Sequence, residues 1–282
     1  MVEHRRFGNL FTHVVLLLGV LIVAFPVYMA VIGSTHDTTT IANGQMPLTA
    51  GPHLLENYSR TLFVGGSQMR TEPVWGMLFN SFVMALVIAV GKIAISIISA
   101  YAVVYFRFPF RMTAFWAIFI TLMLPIEVRI YPTYAVASQL NLLDSFTGLT
   151  VPLIASATAT LLFRQFFMTI PAELLEASRI DGAGPIRFFK DTVLPLSRTN
   201  IAALFVILFI YGWNQYLWPL LITTRDDMQT IVIGIKKLIV TADALTDWPV
   251  VMATSVLAML PPILIVVLMQ KLFVRGLVET EK

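Results

Sequence analysis

The sequence predicts an all-α integral membrane protein: six transmembrane helices, with a cytoplasmic helix-turn-helix between the fourth and the fifth. Three observations carry this. Hydrophobic residues are 57% of the chain and charged residues 12%, against about 25% charged in soluble domains, and the mean hydropathy is +0.81. Six stretches reach the length of about 20 mainly apolar residues that a bilayer crossing needs; they fall at about 13–32, 78–104, 112–133, 146–167, 199–221 and 250–273. Between the fourth and fifth lies a compact insert, 173–195, of mixed polar and apolar character. The chain, 1–282, reads as one transmembrane domain carrying an outside loop at 33–77 and a cytoplasmic loop at 168–198.

The first span follows His4-Arg5-Arg6. Its apolar run, Val14 to Ile32, exceeds the usual signal-peptide core of about 7–15 residues, so it reads as a retained helix. The loop 33–77 is too short for a sizeable core of its own. A folded cap and an unstructured connector both fit it. The second span carries Lys92 near its middle. Facing lipid there costs about 2.5–3.5 kcal/mol on insertion scales, so Lys92 points inward or snorkels.

The third span contains Leu124-Pro125-Ile126-Glu127-Val128-Arg129. Glu127 can pair with Lys92 or Arg129, leaving two cations to one anion in the membrane region. Such an excess favours an anionic cargo, while structural pairing accounts for the same residues. Pro26, Pro125, Pro152 and Pro261-Pro262 interrupt spans, which is tolerated where neighbours satisfy the freed carbonyls. The fourth span carries Ser156, Thr158 and Thr160, whose period of two does not make one helical stripe. The fifth ends in Tyr211-Gly212-Trp213-Asn214-Gln215-Tyr216-Leu217-Trp218. Tyr216 and Trp218 suit a membrane interface. Trp213, Asn214 and Gln215 are candidates for a translocation pathway, because amides near lipid need hydrogen-bond partners; helix–helix bonding is the other account.

In the insert, Pro171 can take a first helical position and Glu173 and Glu176 favour the positive end of the helix dipole. Gly182 is placed to end that helix in a left-handed conformation. Pro185 can start a second helix, and Pro195 is expected to stop it, with Leu194 pushed out of the helical region. An N-terminus inside puts twelve of the nineteen Lys and Arg in the cytoplasm and five outside (Arg60, Arg70, Arg225, Lys236, Lys237). Both termini and loop 168–198 are then cytoplasmic.

Glu176, Ala177, Gly182, Leu194 and Pro195 match the spacing of the EAA loop of permease subunits of bacterial ABC importers, with Ser178 and Thr192 departing from it. Asn80-Ser81-Phe82, 107–111, 121–133, 156–171 and 211–221 extend the resemblance to the carbohydrate-type permeases along the whole chain. The segments around Glu127 and Trp213 resemble the branch of that family that carries sn-glycerol 3-phosphate. The resemblance implies that Glu176, Ala177, Ser178, Asp181, Gly182 and Pro195 serve coupling to an ATPase. It also implies a homologous second permease subunit, two ATPase subunits and a periplasmic glycerol-phosphate-binding protein. ATP and Mg would sit on the ATPase, with no cofactor on this chain.

Other classes fit less well. The chain has no cysteine, and its four His, at 4, 13, 36 and 53, lack zinc-enzyme spacing. No Gly-x-x-x-x-Gly-Lys-Ser/Thr sequence occurs, so ATP would be bound by another chain. A net charge of +3, scattered over loops, is no nucleic-acid signature. An ion-coupled transporter would show acids in several spans and an inverted repeat; only Glu127 qualifies.

Overall fold

A computed structural model describes residues 6–64, 73–121, 124, 126–239 and 246–278. All regular elements among them are helical. Three helices are long and apolar enough to cross a membrane: Phe11–Gly33, Val74–Tyr105 and Trp248–Lys271. Two bent pairs, Phe146–Leu153 with Ala157–Thr169 (48°) and Pro185–Leu196 with Arg198–Trp213 (69°), bring the number to five among the described residues. The expected third span is instead split into α5 (Arg111–Ile120) and α6 (Ile126–Gln139). Pro125, itself outside the described residues, lies in that gap; a proline there removes a donor and disfavours helix at Leu124.

The chain divides into two compact units. One runs to Gly76 and includes Gly234–Leu260. Its α1 (Arg6–Gly33) is apolar around its circumference and keeps Pro26 inside it. The segment after α1 is folded by buried polar side chains. Asp37 caps α2 (Thr38–Ala42) by accepting from the Thr40 N–H. Asn57, on α3 (Leu54–Ser59), donates to the carbonyls of Ser34 (2.9 Å) and His36 (2.8 Å). The Thr35 hydroxyl accepts from the Gly51 N–H at 2.7 Å. A side chain at Gly51 would sit 2.6 Å from the Thr35 carbonyl, so the approach needs glycine. Asp247 accepts from Thr38 (2.9 Å) and pairs with Arg60. Over 33–64, then, the first long loop is a folded cap and not an unstructured connector.

The other unit spans Met77–Ile233 and the chain from Pro261. Its spine is α4 (Val74–Tyr105). Met84 and Ile88 of α4 share a buried cluster with Ala137 of α6, Leu149 of α7 (Phe146–Thr150), and Trp218 and Ile222 of α13 (Leu217–Ile222). Gly212 of α12 (Arg198–Trp213) lies so close to α4 that a Cβ would be 2.9 Å from the Ala85 Cα. At the start of α4, Asn80 donates to the carbonyls of Asp227 (2.8 Å) and Gln229 (3.0 Å). Ser81 accepts from the N–H of Ile231, where α14 (Ile231–Ile239) begins. The Asn80-Ser81 pair thereby pins the segment from Asp227 to Ile231.

Pro152 opens a 3₁₀ turn, Val151–Leu153, ahead of the bend before α8 (Ala157–Thr169). Ser156 caps α8 through the Ala159 N–H, and its carbonyl accepts from Ser96 (3.2 Å) and Thr160 (2.9 Å). The Ser156/Thr160 pair is thus cap hardware at a helix break. In contrast, α15 (Trp248–Val278) contains Pro261 and Pro262 within one helix.

Candidate functional site

The 171–197 segment is built around one turn. Pro171 is the residue before α9 (Ala172–Ile180), one place earlier than the sequence suggests, and Glu173 lies in the first turn. Gly182 has φ +72°. Its N–H donates to the Arg179 carbonyl (3.0 Å), and the Ala183 N–H reaches back to Ser178 (2.9 Å). This is a Schellman motif, which needs the left-handed residue at the position after the cap, Asp181. Gly184 then extends and α10 (Pro185–Phe188) starts on Pro185.

The expected stop at Pro195 is corrected. Leu194 is helical (φ −66°, ψ −44°), and the helix continues through a π turn, Phe189–Val193, into α11 (Leu194–Leu196). A proline ring in a regular α-helix presses on the carbonyl four residues back. The wider π turn just ahead of Pro195 makes room for it. The chain breaks two residues later, at Ser197, whose N–H and hydroxyl both donate to the Val193 carbonyl (3.0 and 2.6 Å).

The faces of α9 differ. At 3.6 residues per turn, Leu175, Ser178 and Arg179 share one side, and these three line a cavity of about 440 Å³. Glu173, Glu176, Ala177 and Ile180 share the opposite side, and all four are exposed. Ile180 is 86% exposed and Ile186, across the turn, 83%. Two bare isoleucines flanking a rigid turn, beside a carboxylate, form a surface suited to a protein partner. Of the expected coupling residues, Glu176, Ala177, Asp181 and Gly182 gather at this surface. Ser178 turns to the cavity side, and Pro195 lies a helix away.

Two tyrosines that the sequence reading did not single out hold the segment in place. The Tyr101 hydroxyl donates to the Pro185 carbonyl at 2.7 Å, and Tyr105 donates to Phe167 at 3.3 Å. Their rings pack on Phe189 (4.8 Å) and Phe188 (5.3 Å). The signal was present: two tyrosines four apart at the C-terminal end of an apolar helix.

The membrane-level candidates come together only in part. Lys92 points inward, 7% exposed, with its ammonium 4.0 Å from the centre of the Tyr211 ring. Such a contact is worth about 2 kcal/mol when desolvated. Arg129, on α6, is exposed. Among the described residues, neither cation forms an ion pair with a carboxylate. The side chain of Glu127 lies outside the described residues. Trp213 is buried, stacked on Phe209 at 5.9 Å. Asn214 is exposed where α12 ends. Gln215 donates to the Tyr211 carbonyl at 3.2 Å, filling an acceptor that the broken helix frees.

Trp218 corrects its reading as an interface anchor: it is 3% exposed and its indole N–H donates to the Gly148 carbonyl at 3.0 Å. Asp144 fixes the same corner, accepting from the Thr224 hydroxyl and the N–H groups of Thr224 and Arg225. Those bonds, the Thr224 hydroxyl's first, hold its carboxyl below the usual carboxylate range.

Residues 92–279 match the family described as binding-protein-dependent transport system inner membrane component. The chain is 58% identical to the sn-glycerol-3-phosphate transport system permease protein UgpE of Brucella melitensis biotype 1, over all of both chains. It is equally similar, 58% over all of both chains, to the protein of that name from Agrobacterium fabrum. A crystal structure of a bacterial ABC transporter involved in the import of the acidic polysaccharide alginate shares the fold. It has a TM-score of 0.81 and 20% identity, covering 96% of this chain and 98% of that one.

Proposed function

We infer function from one premise: this chain belongs to the family of binding-protein-dependent transport system inner membrane components. It is a multi-pass membrane permease, not itself an enzyme, in an ABC importer of sn-glycerol 3-phosphate. Full-length identity of 58% to sn-glycerol-3-phosphate permeases is the observation that carries this. Its working partners are a homologous second permease, two ATPase subunits and a periplasmic glycerol-phosphate-binding protein. Both termini and the α9–α10 segment lie in the cytoplasm, and six crossings complete the domain.

The proposed mechanism follows from the α9–α10 turn. The ATPase grips Glu176, Ala177, Ile180 and Ile186. Because the Schellman turn fixes α9 against α10, a push on one moves both. Tyr101 and Tyr105 pass that displacement to α4, and Ser197 to α12. Lys92 on α4 and Tyr211 on α12 ride on those two helices, so the push reaches the cation pair in the membrane. A phosphate-bearing cargo supplies the negative charge that Lys92 and Arg129 lack among the described residues. Glycerophosphodiesters carry the same phosphate and are the second cargo to test.

The test is uptake in vesicles holding the complete transporter. Uptake of sn-glycerol 3-phosphate should require ATP inside and binding protein outside. Uptake without ATP would sink the reading, and uptake of a neutral sugar alone would reassign the cargo. Arg129→Gln should lower uptake several-fold with the complex intact; unchanged uptake would leave Arg129 a structural role only.

A further inference from the structure

We propose that the crevice where α4 ends and α9 turns is a binding site for a phosphate group, carried by an anionic phospholipid headgroup. It rests on the cytoplasmic placement of this loop. The cavity of about 440 Å³ is lined by Arg107 and Arg179, with Ser178 beside them and Tyr101, Tyr105 and Phe188 as walls. Arg107 also lines an adjoining concavity of about 470 Å³ with Phe108, Pro109 and Arg111. No carboxylate lines either space. Among the described residues none of the three arginines is in an ion pair. The acid nearest in sequence, Asp181, caps α9 at the exposed turn and lines neither space, and Glu173 and Glu176 are on the far side of α9. So Arg107 shares one open space with Arg179 and the adjoining one with Arg111, which also donates to the Phe106 carbonyl at 3.4 Å, and no lining residue supplies a counter-charge.

The occupant follows from chemistry. A guanidinium fork matches phosphate oxygens in pairs, and Ser178 adds a hydroxyl donor. Inorganic phosphate satisfies these groups too, but it makes no use of the surrounding rings. From Phe106 to Arg111 every second residue is phenylalanine, with Arg107, Pro109 and Arg111 between and after them, and Phe108 is 40% and Phe110 82% exposed. Aromatic rings favour the headgroup level, and basic pockets between helices on the cytoplasmic side take anionic headgroups. A lipid satisfies the arginines and the rings together. Its phosphate would bridge Arg107, at the end of α4, to Arg179, on α9, beside the Tyr101–Pro185 bond. The lipid thereby braces the turn that the ATPase pushes.

The experiment uses the complete transporter in nanodiscs of phosphatidylcholine with graded phosphatidylglycerol. Native mass spectrometry counts retained lipid. The wild type should hold phosphatidylglycerol in preference to phosphatidylcholine. Arg107→Gln and Arg179→Gln should each weaken that retention roughly fivefold, and Arg107→Lys should restore much of it. Displacement of the lipid by inorganic phosphate supports a phosphate site. Arginine-dependent binding of inorganic phosphate with no lipid preference overturns the lipid assignment. Equal retention by wild type and the double glutamine variant overturns the site. If that variant fails to assemble, the wild-type titration decides, and no saturable preference overturns the proposal. The chain has no cysteine, so Glu173→Cys labelling with an impermeant reagent tests the loop's sidedness separately.

Discussion

Two polar inserts interrupt this apolar chain, and they are built on opposite plans. The cap at 33–64 turns its polar side chains inward. Asn57, Thr35 and Asp247 spend their hydrogen bonds on the cap's own carbonyls, N–H groups and side chains. The α9–α10 turn is organised the other way. Its shape comes from backbone bonds and from tyrosines on α4, while Glu176, Ile180 and Ile186 stay exposed. A segment that must keep its own shape buries its polar groups against itself. The segment that we propose another protein grips keeps these side chains exposed and relies on a backbone turn for stiffness.

The sharpest way to break this contrast is Gly182→Val. No neighbour lies within 4 Å of the added Cβ, so the whole penalty is the left-handed backbone at φ +72°. That penalty is about 1–2 kcal/mol, small against folding but placed at the one joint that keeps α9 and α10 a unit. The protein should insert and assemble, and ATP-driven uptake should be lost. Gly182→Asn, which tolerates this backbone, should keep most uptake; equal failure of both would point away from the turn.

Next in size is Asn57→Ala, which leaves two carbonyls of the cap without their buried donor. A loss of about 2 kcal/mol should appear as faster hydrogen exchange over 34–57. Exchange there at the wild-type rate would show that the cap is not held from within. Tyr101→Phe removes one hydroxyl bond to Pro185 and should weaken the anchor by about 1 kcal/mol. The expected readout is ATP turnover that outpaces uptake by a few-fold. Unchanged coupling would assign the anchoring to the rings alone.

The smallest effect is one of pH. Hydrogen bonds from the hydroxyls of Thr39 and Thr40 hold the Asp37 carboxyl well below the usual carboxylate range. A depressed carboxyl contributes fully above the unfolded value, about 3.9, and loses its contribution as pH falls through the folded value. Exchange protection in the α2 cap, taken relative to the intrinsic rate at each pH, should therefore be flat from neutral pH down to about 4 and fall only below. Asp37→Asn should remove that acid-side slope, and a slope that persists would trace it to another group.

Much of this was legible from residue order. The apolar runs marked the long helices, because a stretch without charges has few other places to go. Gly182 marked the left-handed turn, because few other residues adopt that backbone cheaply. Five fixed positions from Glu176 to Pro195 marked the loop that we propose faces a partner.

Other features were fixed by three-dimensional surroundings. Pro195 normally ends a helix, yet a π turn ahead of it gave the ring space. Trp218 suits an interface, but Gly148 offered a buried carbonyl and the α4 cluster offered a socket. Lys92 had to avoid lipid, and only packing chose the face of Tyr211. Ser178 and Glu176 are two residues apart in a motif but face opposite ways on α9. Local sequence settles what a backbone can do on its own. Which side chain meets which partner depends on helices distant in sequence, and only their packing settles that.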